Sequence, residues 1–142
     1  MLVTMPTATK PLILLVDDSD DFREIMSLRL NAAGFDTLQA NGGEAALSKL
    51  KNNKPDLVVL DLEMPGMNGV ETLMKIKADP ATKNEKVVFL TNYGEPQEKL
   101  AEVDKKFAFE VGALCYLRKT DDMSHIIKEI QQHASASPNT HS

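Results

Sequence analysis

Leu57-Val58-Val59-Leu60-Asp61-Leu62-Glu63-Met64-Pro65-Gly66-Met67-Asn68-Gly69 decides the fold. The uninterrupted apolar run Leu57 to Leu60, with no polar alternation, describes a short strand covered on both faces. It ends on a carboxylate, Asp61, and the Pro-Gly pair that follows makes a turn. A buried strand thus delivers one acid to its own C-terminal tip. Leu12-Ile13-Leu14-Leu15-Val16 does the same, running straight into Asp17-Asp18.

Outward from these two runs, strand-like and amphipathic segments alternate. Strands are expected over Leu12 to Asp17, Thr37 to Ala40, Leu57 to Asp61, Val87 to Thr91 and Leu114 to Arg118. The first helical stripe is Phe22, Ile25, Met26 and Leu30; the second is Ala46, Leu47 and Leu50; Leu73 and Ile76 begin a third. Leu100, Val103, Phe107 and Val111 mark a fourth helix over Pro96 to Val111, and Met123, Ile126, Ile127 and Ile130 a fifth. Gly34, Gly69 and Gly112 punctuate helix boundaries as residues that tolerate positive φ. The pattern is an α/β protein: a flavodoxin-like (βα)5 three-layer sandwich with parallel sheet order 2-1-3-4-5. In that order the first and third strands are neighbours, so Asp17, Asp18 and Asp61 converge at the carboxyl edge, where open α/β sheets bind ligands.

The chain has 142 residues, 42% of them hydrophobic, enough for one domain with a continuous core. Residues 1–10 read as a flexible N-terminal extension, 11–133 as the folded domain and 134–142 as a flexible tail. The net charge is -5, with no basic block, which speaks against nucleic acid as a partner. Cys115 is the only cysteine, so no intramolecular disulfide forms, and it reads as a small apolar filler. The strongest apolar run is far too short to span a bilayer. A cytoplasmic protein acting through protein contacts, away from membranes, is expected.

Three carboxylates within about 5 Å repel one another by roughly 3 kcal/mol per pair at an effective dielectric of about 20. Such a pocket stays ionised when a cation joins it, and oxygen-only ligands with open positions suit Mg²⁺. Asp61 leads into an open turn, and a carboxylate there can act as nucleophile toward phosphorus. Two further strand tips supply positioning groups: Thr91 a hydroxyl and Lys119 an ammonium. Within Asp17-Asp18-Ser19-Asp20-Asp21, Asp20 and Asp21 read as caps of the first helix, favoured by its N-terminal dipole. His125, His133 and His141 show no ligand spacing, and Met64 and Met67 merely flank the turn.

These residues together resemble the receiver (CheY-like) domain of two-component response regulators, in its stand-alone, chemotaxis-type form, over about residues 11 to 132. Leu15-Val16-Asp17-Asp18-Ser19 looks like the first-strand acidic pair, and Val59 to Gly69 is similar to the acceptor motif throughout. Leu90-Thr91, Gly112-Ala113 and Tyr116-Leu117-Arg118-Lys119 complete the set. The resemblance implies that Asp61 is the phosphoacceptor of a phosphorelay. It also implies that Asp18 and Asp61 ligate Mg²⁺ directly, Asp17 through water and Glu63 through its backbone carbonyl. Thr91 and Lys119 would then bond the phosphoryl oxygens, and Tyr116 would follow Thr91 as a rotamer switch. The chain departs from the family at three places. Lys119-Thr120 stands where Lys-Pro is usual, Asn92 replaces a small residue, and the stretch from Thr91 to Gly112 is longer.

The resulting expectation is a single-domain response regulator, phosphorylated by a histidine kinase or phosphotransfer protein and signalling to a downstream protein target. It would be a monomer or a phosphorylation-dependent dimer, and a switch rather than a turnover enzyme. Two rivals are a degenerate receiver serving as a phosphorylation-independent interaction module, and a small Mg²⁺-dependent phosphohydrolase. Against the latter, the position two residues after Asp61 is Glu63, where the DxD arrangement of such hydrolases has a second Asp.

Overall fold

A computed structural model describes residues 10–92 and 112–135. Within them the chain runs β1 (Leu12–Val16), α1 (Asp20–Ala32), β2 (Asp36–Ala40), α2 (Gly43–Asn52), β3 (Leu57–Leu60), α3 (Gly69–Ala78), β4 (Val87–Thr91), β5 (Cys115–Arg118) and α4 (Met123–Ser135). The helix expected over 96–111 lies outside the described residues. All strand pairs are parallel, in the order β2-β1-β3-β4-β5, as the apolar runs require.

Side chains alternate across the sheet, and each face has its own core. Leu14, Val16, Val58, Leu60, Val87 and Phe89 pack with Ala46 and Leu50 of α2 and Leu73 and Ile76 of α3. Ile13, Leu15, Leu57, Val59, Val88 and Leu90 pack with Met26 and Leu30 of α1 and Ile126 and Ile130 of α4. Three layers result. Each fully buried aliphatic side chain contributes about 1.5–3 kcal/mol, so the central strands are firmly held. That rigidity passes directly to whatever stands at their tips.

The inward stripe of α1 differs from the apolar one expected. Ile25 is 50% exposed, while Arg23 and Ser27 are buried. Hydrogen bonding explains the exchange. Arg23 Nη1 donates to the Asp17 carbonyl (2.5 Å) and Nε to Gln39 Oε1 (3.0 Å), while Gln39 Nε2 donates to Ser27 Oγ (3.2 Å). A guanidinium with its donors satisfied can sit beneath the sheet edge where an aliphatic side chain would leave the carbonyl unpaired. The start of α1 differs too: Ser19 is its N-cap, its Oγ accepting from Phe22 N (3.1 Å), while Asp20 and Asp21 lie in the first turn. Helix α4 runs through Ser135, with Ala134 buried, two residues past the expected boundary at 133.

Candidate functional site

The site follows from strand register. Val16 is paired with Leu60, so the next residue of each strand, Asp17 and Asp61, emerges at the same level of the carboxyl edge. Backbone bonds continue past the strands and fix both: Asp61 N donates to Val16 O (2.9 Å), Asp17 N to Ala40 O (3.1 Å). Asp17 Oδ1 accepts from Ser19 N (2.9 Å) and Asp61 Oδ1 from Glu63 N (3.3 Å), so each carboxylate is oriented by the turn that follows it. Asp17 and Asp61 are both buried at 4% exposure, and Asp18 beside them is exposed. One carboxylate oxygen from each of the three lies within 4.8 Å of the others.

Lys119 reaches this cluster although Thr120 follows it. Its backbone N donates to Thr91 O (2.7 Å), extending the β4–β5 ladder by one rung, and Arg118 N donates to Asp121 Oδ2 (3.0 Å), closing the turn beyond. The ammonium sits 2.6 Å from Asp17 Oδ2 and 3.6 Å from Asp61 Oδ2, with the Phe22 ring centroid 4.2 Å away. An aromatic face and two carboxylates hold a cation well in a desolvated setting. Thr91 ends β4 fully buried, opposite Arg118, and Asn92 after it is exposed. Tyr116 pairs with Phe89 in the β4–β5 register, and their ring centroids are 6.4 Å apart at 58°.

Burial is the main reason the Asp61 carboxyl is pushed up to about 6, and the neighbouring Asp17 charge adds to it. Lys119 and the Glu63 N–H act in the opposite sense without cancelling these effects. The positive charge beside Asp61 therefore does not offset its burial. Hard oxygen ligands, one of them open to solvent, fit Mg²⁺, which retains water in part of its octahedral shell.

Gly69 has a role different from the one expected. Its φ is not positive, unlike those of Gly34 (100°) and Gly112 (117°). Instead a Cβ at 69 would stand 2.3 Å from the Asp61 carbonyl oxygen and 2.7 Å from Leu62 Cα. Helix α3 begins against the acceptor's own backbone. Asn68 and Glu71 form a capping box there, Asn68 Oδ1 accepting from Glu71 N (2.9 Å) and Glu71 Oε1 from Asn68 N (3.0 Å). Arg23 and Phe22 are the site residues that sequence reasoning missed. For Arg23 the Asp20-to-Arg23 helical spacing was a visible signal, while Phe22 stood only in the apolar stripe of the first helix.

A buried parallel sheet presenting three acids, a hydroxyl and an ammonium at its carboxyl edge defines the class: an α/β protein with a cation-compatible site at the strand tips. A family model described as "Response regulator receiver domain" matches residues 13–131, and the chain belongs to that family. It is similar to the sporulation initiation phosphotransferase F of Bacillus subtilis, 34% identical over 121 residues, with 85% of this chain and 91% of that protein covered. It is also similar to the phosphate regulon transcriptional regulatory protein PhoB of Pseudomonas aeruginosa, 35% identical over 107 residues. There the match covers 75% of this chain but only 44% of the relative. Among solved structures, the chemotaxis protein CheY4 of Vibrio cholerae superposes with a TM-score of 0.75 at 28% identity, covering 87% of this chain and 98% of that one. Among the described residues, no helix is long and apolar enough to cross a membrane.

Proposed function

We propose that Asp61 accepts a phosphoryl group from the phosphohistidine of a histidine kinase or phosphotransfer protein in a Mg²⁺-dependent reaction, and that the chain signals to a downstream protein by a conformational switch. One observation carries this reading: Asp17, Asp18 and Asp61 converge within 4.8 Å, with the Lys119 ammonium against two of them. Asp18 and Asp61 would hold the ion directly, Asp17 through water, and the Glu63 carbonyl would complete the protein's share. When bound, Mg²⁺ supplies charge neutralisation for the carboxylates and for the phosphoryl oxygens.

The chain's own residues do the rest. The Asp61 oxygen forms a bond to phosphorus as the P–N bond breaks, and the electron pair leaves on the donor's imidazole nitrogen. This requires the ionised carboxylate, the form favoured above about pH 6 before any cation is added. Lys119 shifts from Asp17 to the incoming phosphoryl oxygens, and the Thr91 hydroxyl donates to another. Tyr116, beside Phe89, then reports the movement of Thr91 along the β4–β5 edge. On α1, Ile25 and Leu28 are exposed large apolar side chains, and they suit an apolar contact with a partner protein.

In this reading the protein is a cytoplasmic switch, not a turnover enzyme. The test is intact mass after incubation with Mg²⁺ and a small phosphodonor. One added phosphoryl unit is expected, lost in Asp61→Asn and absent under chelation. An unmodified wild-type chain would point to the constitutive interaction module, and many turnovers of phosphate release from monoesters to the hydrolase.

A further inference from the structure

We infer that Cys115, Glu129 and His133 form a second metal site, separate from the acidic pocket and selective for zinc-like divalent ions. Sequence spacing alone gave His133 no partner, but the fold supplies two. Glu129 lies one helical turn before it on α4, and Cys115 opens the edge strand β5 alongside. One ligand atom from each residue lies within 4.8 Å of the others. All three residues are half-buried, with the Glu129 and His133 side chains each 26% exposed.

Two distances set the spacing of the group around Glu129. His133 Nε2 is 3.6 Å from Glu129 Oε1, longer than an N–H···O hydrogen bond, and the Cys115 thiol donates to the same oxygen at 3.7 Å, through a proton that a metal would replace. Ligands of a tetrahedral zinc ion, at about 2.3 Å for sulfur and about 2.0–2.2 Å for nitrogen and oxygen, stand about 3.4–3.6 Å apart. The observed separations are close to those tetrahedral edges. Glu129 Oε1 stands within a few tenths of an ångström of those edges to both of the other ligand atoms.

Charge and softness agree with geometry. A thiolate and a carboxylate together neutralise a divalent cation, and the imidazole binds as the neutral base. Binding transfers the Cys115 thiol proton to solvent. Sulfur and imidazole nitrogen favour Zn²⁺ or Co²⁺ over Mg²⁺, whereas the all-oxygen pocket of Asp17, Asp18 and Asp61 has the opposite preference. Three protein ligands leave a fourth position for water. Lys86 Nζ donates to the His133 carbonyl (2.6 Å), fixing the last turn of α4 while contributing no ligand. A metal here would tie α4 to β5, the strand that also delivers Lys119.

Cobalt(II) titration of the full chain, with excess Mg²⁺ occupying the acidic pocket, tests the site. One equivalent should produce thiolate-to-cobalt charge-transfer absorption. That band should disappear in Cys115→Ser and need at least tenfold more cobalt in His133→Ala, while remaining unchanged in Asp61→Asn. Zinc should slow alkylation of Cys115 in the wild-type chain by at least tenfold, a readout that needs no variant. A missing band with alkylation unaffected by zinc overturns the inference. So does a band whose cobalt dependence is the same in His133→Ala and Glu129→Gln as in the wild type.

Discussion

Lys119 leans toward Asp17 rather than toward the proposed acceptor: its ammonium is 2.6 Å from Asp17 Oδ2 and 3.6 Å from Asp61 Oδ2. This ammonium is thus engaged mainly by the acid that would reach a metal through water. A divalent ion that took over Asp17 would release the ammonium. The same lysine can then serve one role before phosphoryl transfer and another during it.

Replacing Lys119 by Met leaves Asp17 and Asp61 facing each other without that ammonium. Removing one partner of a buried ion pair strands the other charge, so metal-free stability at pH 8 should fall by about 2–4 kcal/mol in urea denaturation. Added Mg²⁺ should restore most of it. Phosphoryl incorporation should nonetheless stay at least tenfold below wild type, and an unchanged rate would remove Lys119 from the reaction.

Asp61→Asn should stabilise the metal-free protein. The folded carboxyl is raised from 3.8 to about 6, so the folded state holds its proton more tightly than the unfolded state. The stability this confers is complete below about pH 4 and is lost as pH rises through 6. The uncharged variant escapes that loss and should gain about 1–2 kcal/mol over wild type at pH 8, with the difference closing toward pH 4. A variant less stable than wild type at pH 8 would contradict this account.

Gly69→Ala should disturb the acceptor from behind. The added methyl meets the Asp61 carbonyl oxygen and Leu62 Cα, both backbone atoms that cannot rotate away. Overpacking of this kind costs about 1–3 kcal/mol, read as a lowered denaturation midpoint. Phosphorylation should slow as well, because β3 must shift to admit the methyl. Full activity at reduced stability would show that α3 moves instead.

Glu85→Gln tests the opposite edge of the sheet. Burial pushes the Glu85 carboxyl up from 4.5 to about 7, and Lys54 and Lys77 only partly offset it. Its favourable contribution is present below pH 4.5 and disappears as pH rises through 7. The Gln variant should therefore be more stable above pH 7 by about 1 kcal/mol, after allowing for the screening of a half-exposed group. Near pH 4 the two should denature alike.

The sheet was readable because β1, β3 and β4 are uninterrupted apolar runs, and the order 2-1-3-4-5 then placed Asp17 beside Asp61. Hydrophobic periodicity failed where hydrogen bonds decide burial. It assigned Ile25 inward and overlooked Arg23, whose donors are used by Asp17 and Gln39. It identified Gly69 as special but for the wrong reason, since proximity to Asp61 is a tertiary fact. His133 similarly looked partnerless because Cys115 is 18 positions away and meets it only when β5 lies against α4.

The proposed acceptor and its helpers stand at positions 17, 61, 91 and 119, the last delivered by the outermost strand. Competence to take up phosphate consequently requires that this edge strand be docked on the sheet. A short pulse of phosphodonor during refolding should label only molecules whose edge strand has docked. Appearance of the label then serves as a stopwatch for completion of the sheet.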